Sequence, residues 1–204
     1  MDIFIAGTDT SAATIVWTMV ELIKNPEAMK KAQDEITEIA WGKENIEESD
    51  LPKLSYLKLV LKESFRLHPP APLLIPRETT RACTINGYEI PAKTRILINA
   101  RTIARDPFYW KDPDSFKPER FFYSSVDFRG HDYELIPFGI GRRSCPGINF
   151  SVLTVELALA NLLHYFDWKL PHGITRDDVD MVEAVGLTVH KKTPLLLIAT
   201  PRPR

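Results

Sequence analysis

The chain is short of the residues that build metal centres and disulfide scaffolds. It has two cysteines, Cys83 and Cys145, in 204 residues. Neither belongs to a Cys-x-x-Cys pair, and none of the five histidines stands at zinc-ligand spacing to them, so neither a disulfide framework nor a zinc site is expected. An excess of one charge is also lacking: 26 basic residues face 27 acidic ones, which argues against a nucleic-acid surface. Internal repeats and low-complexity linkers are absent. No signal peptide is expected, because Met1-Asp2 leads into apolar residues without a basic region or a small-residue cleavage site. The one long apolar run, residues 3–23, has Asp9 in its middle and Glu21 near its end, with hydroxyl residues throughout. It is too polar for a bilayer span and is expected to be a core helix.

What remains is enough for a sizeable core, at 44% hydrophobic residues in a length that suits one or two domains. Apolar residues cover most of the circumference of the first helix, as a helix through the centre of a large protein requires. A second helix is expected from Pro26 to about Trp41, with Asn25 as N-cap and Ala28, Met29, Ala32, Ile36 and Ile39 on its apolar face. The acidic stretch 44–50 reads as a solvated connection. A third helix, about 55–68, ends where His68 precedes Pro69-Pro70. Residues 73–77 read as extended. Asn86-Gly87 between two strand-like runs signals a hairpin, with another strand at 95–99. A short helix over 100–110 and a surface loop over 123–134 follow, with Phe128, Tyr133 and Leu135 as packing residues. A long helix over about 148–166 and a final strand at 195–198 complete a mainly α chain with small β-sheets.

One stretch combines features that ordinary packing does not require. In Pro137-Phe138-Gly139-Ile140-Gly141-Arg142-Arg143-Ser144-Cys145-Pro146-Gly147 a single cysteine lies among glycines, just before a helix. Glycines permit turns that aim backbone N–H groups at the sulfur, and the helix N-terminus and Arg143 favour a thiolate. The residue-level alternative is a buried structural cysteine in a glycine-rich turn. Here the chain resembles the cytochrome P-450 family, whose haem loop reads Phe-x-x-Gly-x-Arg-x-Cys-x-Gly and is matched by Phe138, Gly141, Arg143, Cys145 and Gly147. The resemblance implies haem b with Cys145 as axial iron ligand, backbone close to the porphyrin at Gly139, Gly141 and Gly147, Phe138 packed on the haem, and Arg143 on a propionate.

Three further segments carry the resemblance. Ala6-Gly7-Thr8-Asp9-Thr10-Ser11 lies inside the first helix, where Gly7 and a Thr10 bond to the Ala6 carbonyl are expected to distort the helix; a bare helix-bending cluster is the bland alternative. The family match makes this the distal helix, residues 1–24, with Thr10 holding a water or hydroperoxide and Asp9 passing protons to the distal oxygen. Glu63-Ser64-Phe65-Arg66 places two opposite charges on one helix face, which alone means an ordinary ion pair. With Pro118-Glu119-Arg120-Phe121 it implies a buried Glu63–Arg66–Arg120 network that holds the haem-loop region. Arg77 is implied as a second propionate partner, with a surface arginine as the alternative. Ala6, Leu73, Leu74, Ile75, Val185 and Leu187 are implied to line the substrate pocket, although strand-end packing explains the last two equally well.

The details look most like plant microsomal enzymes of secondary metabolism. The implied function is hydroxylation of a small hydrophobic substrate with O₂, using electrons from NADPH through NADPH-cytochrome P-450 reductase, which would dock near Arg142. By this resemblance the chain is expected to correspond to the C-terminal portion of such a protein, from the distal helix onward, without the N-terminal half and membrane anchor. The full-length form is expected on the cytosolic face of the endoplasmic reticulum membrane. Alternatives are a haem-thiolate enzyme that rearranges hydroperoxides, against which the Asp9-Thr10 pair argues, and a non-catalytic truncated product serving as a structural module.

Overall fold

The computed structural model describes residues 2–202 and contains five α-helices and six short strands among them. Helix α1, Asp2–Lys24, packs on α3, Ser55–Leu67, and on α5, Ile148–Tyr165; α2, Pro26–Ile39, closes the other side of α3 and α5. Met19, Leu22, Ile36, Leu57, Leu61, Leu159 and Leu163 form the centre of the main core.

Helix α1 is buried over one half only. Ala13, Trp17, Val20 and Leu22 are enclosed, whereas Ile3, Phe4 and Ile5 are exposed. An 18-residue window within Ile3–Lys24 has a mean hydropathy of 1.3, enough by length and composition to cross a membrane, as is also true of α5. The buried half nevertheless lies in the core against α5. Four hydroxyls account for much of its polarity. Thr10, Ser11, Thr14 and Thr18 each donate to the carbonyl four residues back, at 2.6–2.9 Å, and the helix is uninterrupted by them. The helix runs unbroken through Gly7.

Several local expectations are corrected by contacts with neighbours a few residues away. Asn25 occupies the N-cap position of α2 as expected but makes no side-chain capping bond; its side chain turns back to the Glu21 carbonyl and carboxylate at 2.9 and 3.2 Å. The acidic connection is ordered: residues Glu48–Lys53 form a 3-10 turn, Ile46 is buried, and Asp50 is enclosed between Lys43 and Lys53. Lys43 holds the Asp50 carboxyl below its usual range against the opposing effect of burial. Residues 71–74 make a turn, not an extended run, closed by Leu74 N–H to the Ala71 carbonyl at 3.0 Å. Strand β1, Arg77–Glu78, then pairs antiparallel with β4, Arg95–Ile96, which is shorter than expected.

The Asn86-Gly87 turn joins β2, Cys83–Ile85, to β3, Tyr88–Ile90, with positive φ at both turn residues as a primed hairpin turn needs. Helix α4 is only Ala100–Ile103. In the loop before the glycines Phe128 and Leu135 are buried, but Tyr133 is exposed. Strand β5, Phe166–Lys169, pairs antiparallel with β6, Ile198–Pro201, so the last strand starts later than the apolar run suggests.

One buried cluster joins α1 to the end of α3. Trp17 of α1 stacks on His68 with ring centroids 4.2 Å apart, and His68 Nε2 lies 2.7 Å from Glu21 Oε1. Trp17→Ala is expected to cost about 3–5 kcal/mol of stability, measured by urea unfolding, because a fully enclosed ring and its stacking partner are lost together.

Candidate functional site

Residues 137–147 are folded by bonds of their own backbone. Gly139 and Gly141 have φ of +72° and +78°, which a side chain would strain, and they let Gly139 N–H reach the Ile136 carbonyl and Cys145 N–H the Phe138 carbonyl, at 3.0 and 2.9 Å. Gly147 has no such constraint; a Cβ there would meet Cys145 Sγ at an ordinary 3.9 Å. Phe138 is held between Phe65 and Phe128, with centroids 5.0 and 5.6 Å away. Cys145 is a free, half-buried thiol just before the eighteen-residue α5. Among the described residues no N–H donates to its sulfur, contrary to the expectation for the glycine turn; the Cys145 amide is used by Phe138.

Arg143 and Arg77 meet at the loop edge, where Arg77 Nη2 donates to the Arg143 carbonyl at 3.0 Å. Arg142 and Arg143 lie in a 3-10 turn, Gly141–Arg143, and both are exposed.

Helix α1 and the loop converge. Thr10, Ser11 and Thr14 line a narrow cleft with Phe65, Pro70, Phe138, Ser151 and Val155. Its volume of about 20 Å³ is room for about one water. Ala6 and Gly7, one to two turns earlier, are exposed, and a Cβ at Gly7 would meet nothing within 4 Å. Asp9 looks elsewhere. Its carboxylate accepts from the Thr188 hydroxyl and lies 3.0 Å from His190 Nε2, and these two bonds, Thr188 first, hold its carboxyl below the usual range against the effect of burial.

The six residues expected at the substrate pocket divide. Ala6, Leu73, Ile75, Val185 and Leu187 are exposed. Leu74 is buried with Ala100 and Ile136, and its Cδ1 would be 3.9 Å from a Cβ on Gly139. Leu74 therefore supports the loop from behind, because the 71–74 turn rotates it inward.

Glu63 and Arg66 are both 0% exposed and form a two-bonded pair, Nε to Oε2 at 2.8 Å and Nη2 to Oε1 at 2.9 Å. Arg120 Nε adds a bond to Glu63 Oε1 at 2.9 Å, and the Lys117 amide a fourth at 2.8 Å. The spare donors of Arg66 reach the carbonyls of Ala104, Pro113 and Ser115; those of Arg120 reach Lys111, Asp112 and Ser115. Both guanidinium groups lie over the Trp110 ring, at 5.3 and 6.0 Å. Trp110 and these carbonyls were not foreseen, since no spacing marks a ring or a backbone oxygen as a partner.

The family model described as Cytochrome P-450 matches residues 1–198. The chain belongs to the cytochrome P-450 family. It is 61% identical over 201 residues to cytochrome P-450 71A9 of Glycine max, and 59% identical over 199 residues to strychnine-11-hydroxylase of Strychnos nux-vomica. Premnaspirodiene oxygenase of Hyoscyamus muticus is 54% identical over 200 residues. Each match covers 98% of this chain but only 39–40% of the relative, so the chain spans about two fifths of their length. A zebra fish cytochrome P-450 structure with abiraterone superposes with a TM-score of 0.88 at 29% identity, over 100% of this chain and 46% of that one. The mainly α cytochrome P-450 fold follows.

The family implies a haem, and the residues present fit one. The half-buried Cys145 sulfur, two adjacent arginines at Arg77 and Arg143, and open space beside Gly7 and Gly141 suit one iron and two carboxylates on a flat apolar group. Glu63→Gln or Arg66→Met strands a buried charge, and each is expected to lower stability by about 3–5 kcal/mol in denaturant unfolding. Arg120→Met should cost less, since Arg120 is partly exposed and Arg66 still neutralises Glu63.

Proposed function

We propose that this chain carries the haem-binding and oxygen-facing part of a plant cytochrome P-450 monooxygenase. Supporting it above all is the cleft that Thr10 shares with Phe138, which brings the oxygen-facing helix and the thiolate loop to one place. In this reading Cys145 holds the iron of haem b, and Arg77 and Arg143 take its propionates. The bound haem supplies the activation of O₂ that inserts one oxygen atom into a substrate C–H bond. Thr10 fixes a water at the cleft. The exposed Ala6, Leu73, Ile75, Val185 and Leu187 suit a small hydrophobic substrate, of the secondary-metabolite class that the names of the relatives suggest.

Electrons would come from NADPH through NADPH-cytochrome P-450 reductase, with Arg142 exposed on the loop for docking. The full-length protein would be anchored in the endoplasmic reticulum membrane and face the cytosol. The Glu63–Arg66–Arg120 network maintains the loop and takes no part in the chemical step.

The chain loaded with haem, reduced and treated with carbon monoxide should give a thiolate-type red-shifted Soret band that Cys145→Ser abolishes. Absence of the band in the parent chain would remove this reading. Arg143→Gln should weaken haem retention about tenfold, as expected for one lost charge-assisted contact, and a haem titration reads this directly.

A further inference from the structure

Residues 183–191 form a small doubled-back segment that the proposed chemistry leaves unexplained. Glu183 and Lys191 make an antiparallel bridge, and Ala184 N–H donates to the His190 carbonyl at 2.8 Å. At the tip, a Cβ on Gly186 would lie 2.8 Å from the Thr188 carbonyl oxygen, so the backbone approaches itself as closely as glycine alone allows. Val185 and Leu187 flank that glycine and are exposed.

Besides the Arg101–Glu183 and Lys191–Asp180 ion pairs at its base, two kinds of contact fasten this segment nearer its tip. Backbone atoms of Val189 make the first: its N–H donates to the Pro70 carbonyl at 2.9 Å, and its carbonyl accepts from Trp17 Nε1 at 3.1 Å. These hold whatever the side chain at 189. The second kind is Asp9, which takes the Thr188 hydroxyl and His190 Nε2. These depend on the side chains at 188 and 190, so they are the contacts that substitution can tune. Asp9 immediately precedes Thr10, and the helix that brings Thr10 to the cleft therefore also grips the tip that carries Val185 and Leu187.

We propose that Thr188 and His190 close a latch on Asp9 that positions the apolar tip 184–187 relative to the oxygen-facing helix, and that residue 190 is a specificity-determining position. The specificity half rests on the monooxygenase reading; the latch does not. In this arrangement the Asp9 carboxylate is a positioning group, occupied by the tip.

The test uses the full chain with His190→Ala, His190→Gln and Thr188→Val. In the haem-free chain, amide hydrogen exchange over residues 184–191 should quicken about two- to fivefold in His190→Ala, the factor expected for a half-exposed ionic hydrogen bond. His190→Gln keeps a donor and should stay near the parent, and Thr188→Val should quicken exchange as His190→Ala does. In the haem-loaded chain, spectral titration with imidazole and with 4-phenylimidazole reads the space near the iron. The ratio of the two affinities should shift by a similar factor in His190→Ala and return in His190→Gln.

Unchanged exchange in both His190→Ala and Thr188→Val would overturn the latch. Faster exchange with a constant affinity ratio would overturn the specificity assignment. A parent chain without the thiolate band would end the monooxygenase reading, and the specificity assignment with it, while the exchange measurements still decide the latch.

Discussion

The buried charge of Glu63 is the constraint on which most of the described architecture depends. A carboxylate with no exposure must be neutralised and fully hydrogen-bonded, and here it receives four donors, from Arg66, Arg120 and the Lys117 amide. The guanidinium groups that neutralise it have further donors to satisfy, and these gather the irregular chain between residues 104 and 115. A proline-rich stretch with no regular structure is thereby fixed in place by side chains from α3 and from the Pro118–Phe121 turn. The same helix presents Phe65 on a neighbouring position, against Phe138 of the glycine loop. One helix thus ties the charge network to the backbone around Cys145.

The parts of this structure that were legible from sequence are those in which a short spacing carries the physics. Glu63 and Arg66 are three residues apart on a helix; Asn86-Gly87 announces a primed turn; Gly139 and Gly141 mark positive φ. Each is decided within a few residues. What was misread turned on which of several nearby partners a group takes, which composition does not rank. Asn25 has the composition of an N-cap, but Glu21 competes for its amide. Residues 44–50 are acidic and look solvated, but Lys43 and Lys53 allow Asp50 to be enclosed. Leu74 looked like part of an extended pocket wall, and a turn at Ala71 rotates it into the core.

The partners of Asp9 were invisible because they lie far along the chain. Nothing about Thr188 or His190 marks them as contacts of a residue some 180 positions earlier, and only the fold brings them there. The motif Asp9-Thr10 reads as one chemical unit in sequence. In space its two side chains diverge, as neighbours on a helix do, one toward the C-terminal tip and one toward the cleft.

The hydroxyl ladder on α1 has a consequence for what the cleft can hold. Thr10, Ser11 and Thr14 each use their one O–H proton on a carbonyl of their own helix. A hydroxyl that has spent its proton in this way offers its surroundings lone pairs only. This wall of the cleft is therefore a row of acceptors, and a guest bonded there must bring the hydrogen itself. Water can do so, and a bare carbonyl or ether oxygen cannot; this wall sorts polar visitors by what they donate.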